Sequence, residues 1–139
     1  MGSILGIDYG AKRIGLAISD ETSQIAFPLC VLQNSGPRRV AEEINKIITE
    51  RNVESLVLGL PLNLDGTKGI AADNLERFAS FLKQHVKVPV EFWDERLSTR
   101  IAERAMIEGG LRREHRRQCI DRAAAQIILQ SYLDAHAKV

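Results

Sequence analysis

Three acidic positions stand where acids are least expected, and the chemistry they share is the binding of a hard cation. Asp8 interrupts Ile4-Leu5-Gly6-Ile7, a run that otherwise reads as buried strand. A carboxylate there must be hydrogen-bonded, ion-paired or metal-bound, because an unpaired buried charge is too costly. Asp121 lies at the start of the most apolar helical stretch, ahead of Ala123-Ala124-Ala125 and Ile127-Ile128. Asp94 and Glu95 follow the apolar run Val88–Trp93. Adjacent residues at a strand end point to opposite sides, so at most one of this pair is a primary ligand.

Each acid alone also has a plain structural role. Asp8 would accept N–H groups from the turn at Gly10. Asp121 would sit favourably at a helix start. Asp94 or Glu95 would pair with Arg96. Taken together they argue differently. Carboxylates converging on one edge repel one another unless a cation sits between them. Oxygen-only ligands favour Mg²⁺ or Mn²⁺. No His pair or Cys cluster stands at zinc spacing. Two such ions ~3.5–4 Å apart activate water and stabilise the leaving oxygen of a phosphodiester.

The basic residues fit that chemistry. The net charge is only +1. Yet residues 96–122 hold eight arginines against Glu103, Glu108, Glu114 and Asp121, whereas from Ala41 to Glu95 acids outnumber bases ten to six. A basic stretch in a neutral chain points to a polyanion met by one face; the plain alternative is a solvated helix laced with ion pairs. Lys12, Arg13, Arg96, Arg112, Arg113, Arg116 and Arg117 are the candidates to hold a phosphate backbone. The loop Gly59…Asn63…Gly66-Thr67…Gly69 can approach a backbone closely, with Asn63 at its centre. It is not a Walker A loop, since no Gly-Lys-Ser/Thr follows.

The elements that must position these groups follow from the apolar period. Ile4–Tyr9, Ile14–Ser19 and Ile25–Leu32 read as three strands with short links, hence an antiparallel meander. Val40, Ile44, Ile47 and Ile48 have helical spacing, with Pro37 near the start. Leu56–Leu60 reads as a strand covered on both faces. Ala71, Leu75, Phe78 and Leu82 make a second helical stripe, and Val88–Trp93 a fifth strand, with Pro89 tolerated near its beginning. Ser98 would cap a helix that Gly109-Gly110 ends. In the last helix Ala124, Ile127 and Ser131 are expected to face the sheet, bordered by Asp121, Ala125, Ile128 and Tyr132. The order βββαβαβαα implies one five-stranded mixed α/β sheet, three antiparallel strands then two parallel ones, with helices on both faces. Sites in such sheets form beyond the carboxyl ends of parallel strands. Asp8, the loop from Gly59 and Asp94-Glu95 all lie there.

A chain of 139 residues, 45% of them apolar, fits a single globular domain over residues 1–139. Cys30 and Cys119 read as buried thiols of a reducing compartment. No signal peptide precedes Asp8, no apolar run approaches ~18 residues, and Gly6 stands where a myristoylation signal needs Ser or Thr. The expectation is a soluble, cytoplasmic protein with no membrane partner.

Four blocks resemble the YqgF/RuvX family. They are Gly6-Ile7-Asp8-Tyr9-Gly10-Ala11-Lys12-Arg13-Ile14-Gly15-Leu16-Ala17, Gly59-Leu60-Pro61-Leu62-Asn63, Trp93-Asp94-Glu95-Arg96-Leu97-Ser98-Thr99, and the stretch from Asp121-Arg122-Ala123-Ala124-Ala125 to Leu133. They come in the family's order and span nearly the whole chain. The resemblance implies the RNase H-like fold also seen in RuvC-type resolvases. It implies a carboxylate triad of Asp8, Glu95 and Asp121 holding divalent metal, and so selects Glu95 over Asp94. Family members are described as Holliday junction resolvases and as nucleases maturing the 5′ end of pre-16S ribosomal RNA.

The leading expectation is a metal-dependent endonuclease acting on precursor ribosomal RNA, with Asp8 bridging two ions. The alternative keeps the chemistry and takes branched DNA. Symmetric cleavage of a four-way junction needs a stable dimer, and no long apolar surface stripe announces one, so a monomer or weak homodimer is expected. A binding module of this fold would have lost its acids, and all three are present. An actin-like or sugar-kinase-like ATPase, hinted at by Asp8-x-Gly10, would need a second lobe.

Overall fold

Apolar residues at a period of two and at a period of 3.6 divide this chain into strands and helices. The computed structural model describes residues 2–61, 68–94 and 113–136, with side chains of the last stretch from Ala124 onward. The strands β1 (Ser3–Tyr9), β2 (Arg13–Ser19) and β3 (Ala26–Gln33) form the expected antiparallel meander. Then come α1 (Pro37–Arg51), β4 (Val53–Leu60), α2 (Ile70–His85), β5 (Val90–Asp94) and α3 (Arg113–Ala135). The sheet order is β3-β2-β1-β4-β5, with β1, β4 and β5 parallel to one another. The helix expected between Ser98 and Gly109 lies outside the described residues.

Strand alternation sorts the core into two layers. Leu5 and Ile7 of β1 and Leu56 and Leu58 of β4 pack with Val40, Ile44, Leu75, Phe78 and Leu82 of α1 and α2. Ile4 of β1, Ala17 of β2 and Val57 of β4 face the other way, onto Ala125, Leu129, Tyr132 and Leu133 of α3. Helices therefore cover both faces, as the alternating pattern requires.

Several boundaries differ from the sequence reading for local reasons. The third strand begins at Ala26, and Ile25 is left half-exposed. The Asp20 carboxylate accepts the N–H groups of Gln24 (2.8 Å) and Ile25 (2.9 Å) and the Thr22 hydroxyl, closing a turn in which the Ile25 N–H bonds a side chain while its carbonyl still accepts the Asp20 N–H at 3.0 Å. These bonds, the Ile25 N–H first, hold the Asp20 carboxyl down at about 2. The fifth strand begins at Val90 because Pro89 has no N–H; its carbonyl still accepts Leu56 N–H at 2.9 Å. In α2 Ala72, not Ala71, is buried, and Cys30 is half-buried rather than buried.

The last helix carries the most consequential correction. Its sheet-facing stripe runs through Ala125, Leu129 and Tyr132, while Ile127 and Ser131 are half-buried. The helix is rotated because Gln126 and Gln130 reach the edge strand. Gln126 Nε2 donates to the Ala26 carbonyl (3.1 Å), and the Ala26 N–H donates to Gln130 Oε1 (2.8 Å). The face expected only to border the sheet therefore lies on it.

Gly6 permits this packing. A Cβ built there would come within 2.8 Å of Leu129 Cβ and 3.3 Å of the Ala125 carbonyl oxygen. Neither can yield without moving α3. Gly6→Ala is expected to lower unfolding free energy by about 1–3 kcal/mol, the usual cost of overpacking, measured by urea denaturation. An unchanged midpoint would mean that α3 is not held this close to β1.

Candidate active site

The parallel strands β1, β4 and β5 end at one edge of the sheet, and the register there sets four positions side by side. Asp8 pairs with Gly15 of β2. The β1–β4 register pairs Ile7 with Leu58, so its next step puts Gly59 beside Asp8. Gly59 pairs in turn with Trp93. Strand alternation from Gly6, Val57 and Trp93, which meet α3, puts this whole row on the α3 face. Asp8 is half-buried there and takes part in polar interactions of its own. The glycines on either side contribute no side chain, so the only bulky neighbour in the row on the β4 side is Trp93, one strand further away.

The same alternation separates Asp94 from Asp8. Asp94 pairs with Leu60, which packs on the α1/α2 core. Asp94 thus lies on the opposite face, exposed. Strand geometry left the choice within Asp94-Glu95 open; the observed register removes Asp94 from the Asp8 face. Glu95 itself lies outside the described residues.

Helix α3 runs antiparallel to β1. Gln130 Nε2 donates to the Gln24 carbonyl (2.9 Å), whereas Gln126, a turn earlier, meets Ala26, further along the edge strand. β3 points the same way as β1 because each is antiparallel to β2. Going back from Ala125 to position 121 covers about 6 Å of helix, and going from Gly6 to Asp8 covers about 6.6 Å of strand. The helix backbone at position 121 accordingly comes level with Asp8. The Asp121 side chain is outside the described residues. So are Asn63, Arg96 and Arg112, and the side chains of Arg113, Arg116 and Arg117, whose backbone forms the first turns of α3. Among the described residues no group of three or more His, Cys, Asp or Glu is placed to hold a metal.

Lys12 and Arg13 lie in and just after the β1–β2 turn at the same edge. Lys12 is exposed, and Arg13 shares the face of Gly15 and Ala17 by alternation. The turn needs glycine at position 10, where a Cβ would sit 2.4 Å from the Arg13 carbonyl oxygen. Asn34, which sequence reasoning missed, holds it from below. Its N–H donates to the Lys12 carbonyl (2.9 Å) and its Nδ2 to the Gly10 carbonyl (2.9 Å).

A second feature missed from sequence is a brace between β5 and α3. Trp93 Nε1–H donates to Ser131 Oγ at 3.0 Å, and the Tyr132 hydroxyl donates to the Glu91 carboxylate. The Trp93 and Tyr132 rings meet edge to face at 5.5 Å, and His136 stacks on Tyr132 at 4.0 Å. The brace joins the strand that precedes Glu95 to the helix that carries Asp121. Trp93 and Ser131 are 38 residues apart, so only the fold reveals the pair.

Burial, and then the hydrogen bond and charge of Glu91, push the Tyr132 phenol up to about 12. A raised acid favours its neutral form in the folded state, so this stabilisation is full below pH 10 and is lost as pH rises through about 12. Glu91→Gln is expected to lower the ionisation only partway from about 12, because burial, the larger cause, remains. Ultraviolet tyrosinate titration checks this, and an unmoved titration would remove Glu91 as a cause.

Residues 2–135 match the model of the family described as "RuvX: Holliday junction resolvase". A Syntrophomonas wolfei protein named "Putative pre-16S rRNA nuclease" is 45% identical over 131 residues, 94% of this chain and 93% of its own length. A Clostridioides difficile protein of the same name is 42% identical over 133 residues, 96% of this chain and 94% of its own. Among solved structures, the Fowlpox virus resolvase in complex with Holliday junction DNA superposes with a TM-score of 0.60 at 15% identity, covering 98% of this chain and 99% of that one. The T. thermophilus RuvC–Holliday junction complex gives 0.58 at 18% identity, over 97% and 95%. The fold is RNase H-like, as the motif resemblance implied, with the mixed five-stranded sheet expected from the apolar period.

Proposed function

The chain belongs to the RuvX (Holliday junction resolvase) family, and from that premise we propose that it is a divalent-metal-dependent endonuclease that matures the 5′ end of pre-16S ribosomal RNA. The observation that carries the site is the position of Asp8: at a parallel strand end, between Gly15 and Gly59, on the face that α3 covers. Residues 1–139 act as one nuclease domain. Among the described residues no helix is long and apolar enough to cross a membrane, and we assign the protein to the cytoplasm, where precursor RNA is made.

The donor set fits a hard cation. Asp8 offers oxygen only, in a half-buried position with room left by two glycines, and Glu95 and Asp121 would add carboxylates from the end of β5 and from α3. Asp8, Glu95 and Asp121 would hold the metal between them, with Asp8 as the central ligand. Magnesium or manganese, two ions when loaded, supplies Lewis acidity at the scissile phosphate. The chain's own residues do the rest. Lys12 and Arg13 hold the phosphate beside the β1–β2 turn, with Asn63, Arg96, Arg112, Arg113, Arg116 and Arg117 along the strand. Gly10 and Asn34 keep that turn rigid. The Trp93–Ser131 and Tyr132–Glu91 contacts keep the Glu95 strand and the Asp121 helix at a fixed separation.

Branched DNA is the second reading, favoured by the family's description and by fold neighbours solved on junctions. It requires two active sites, hence a dimer. The test is cleavage of pre-16S RNA, duplex and four-way junction substrates with Mg²⁺ or Mn²⁺, alongside solution mass. We expect pre-16S cleavage by a monomer or weak dimer. Chelator should stop it, and Asp8→Asn should lower it at least a thousandfold with an unchanged melting temperature. Full activity in chelator or in folded Asp8→Asn protein contradicts the metal site. Junction cleavage alone, by a stable dimer, selects the second reading.

A further inference from the structure

A groove on the face away from Asp8 starts at the same sheet edge, where it shares Gly10 and Asn34 with the β1–β2 turn. Two cavities, each of about 570 Å³, adjoin along the junction of α1 and α2 and share Pro37 and Phe81. The first opens where β1 ends, lined by Tyr9, Gly10, Asn74 and Arg77. Tyr9 and Gly10 directly follow Asp8, so this end lies across one strand from the proposed metal site. The second continues between the helices past Arg38, Arg39 and His85.

Its chemistry is basic and aromatic. Arg39 and Arg77 are exposed, and among the described residues neither is in an ion pair; Arg38 reaches Glu42 at 3.6 Å. Neither α1 nor α2 has a side-chain cap; α1 has no acid in its first turn, so its start adds positive potential, whereas Asp73 in the first turn of α2 offsets that of the second helix. Two stacked ring pairs flank the path, Tyr9 on Phe78 at 4.4 Å and Phe81 on His85 at 4.1 Å. Arginines beside aromatic faces are what a single strand needs, phosphates on the cations and bases on the rings.

We propose that the α1/α2 groove binds the single-stranded extension of the nucleic acid whose scissile phosphate sits at Asp8, with Arg39 and Arg77 on its phosphates and Phe81 under a base. This rests on the nuclease reading, and its test separates the two. The protein, without added metal, is titrated by fluorescence anisotropy with a single-stranded RNA 12-mer and with a blunt RNA duplex, across a salt series. For Arg39→Gln/Arg77→Gln we expect 12-mer affinity to fall roughly fivefold to tenfold per arginine, and its salt slope to shrink by about 1.4, that is 0.7 per lost phosphate contact. Duplex binding should stay unchanged. Arg51→Gln, an equal loss of charge at the far end of α1 and outside both cavities, should bind the 12-mer as the parent does. An unchanged 12-mer affinity and slope overturns the proposal. So does an equal loss on both RNAs, or a parent that does not bind the 12-mer. None of these results touches metal-dependent cleavage, which stands or falls on Asp8.

Discussion

The close approach of α3 to β1 over Gly6 is the contact on which the rest of this structure depends. A helix lying on a sheet is normally held off by the side chains between them. Here one position has none, and Leu129 and the Ala125 carbonyl settle into the gap. Because α3 runs antiparallel to β1, whatever holds it at Gly6 also sets how near its earlier turns come to the end of β1. The hydrogen bonds of Gln126 and Gln130 to the β3 edge fix its rotation, and the Trp93–Ser131 and Tyr132–Glu91 contacts fix it against β5. The helix is thus located from three sides, and the strand ends are located with it.

That arrangement explains the glycines flanking Asp8. A carboxylate half-buried at a sheet edge is stable only with compensating partners. Gly15 and Gly59 add no side chain of their own beside it, while Trp93 stands at the far end of the row. Asp94 is directed to the other face and does not add its charge there. One sheet edge then serves two surfaces, with Asp8 and Arg13 on the α3 side and the basic, aromatic groove on the α1/α2 side. They are separated by the thickness of a single strand.

Much of this was legible in the sequence because apolar period reports which face of an element is buried. Five strands, their order of direction and the anomaly of Asp8 all follow from Ile4–Tyr9, Leu56–Leu60 and the two crossover helices. Period does not fix the rotation of a helix whose apolar residues go most of the way round. In α3, Ala124, Ala125, Ile127, Ile128 and Leu129 allow several stripes, and the choice among them was made by glutamines bonding to a strand about a hundred residues earlier. The choice between Asp94 and Glu95 had the same character. Alternation says that neighbours differ in face, but only pairing of Asp94 with Leu60 says which face. Asn34 under the β1–β2 turn, the Trp93 brace and the α1/α2 groove are products of tertiary contact, and no local spacing announces them. Glu95, Asn63, Arg96 and Arg112 lie outside the described residues, as does the Asp121 side chain; the triad rests on the motif resemblance, and Asn63 and the arginines on loop composition and charge.

The role proposed for Asp8 is in a divalent-metal site assembled by the fold rather than in a turn. Uptake of Mn²⁺ by the protein alone, read as loss of the free-ion electron paramagnetic resonance signal, tests it without any assumption about substrate. Binding by the parent chain is expected to weaken at least tenfold in Asp8→Asn and to stay unchanged in Asp94→Asn, since Asp94 lies on the opposite face. Equal uptake by the parent and Asp8→Asn, or a loss confined to Asp94→Asn, would contradict it.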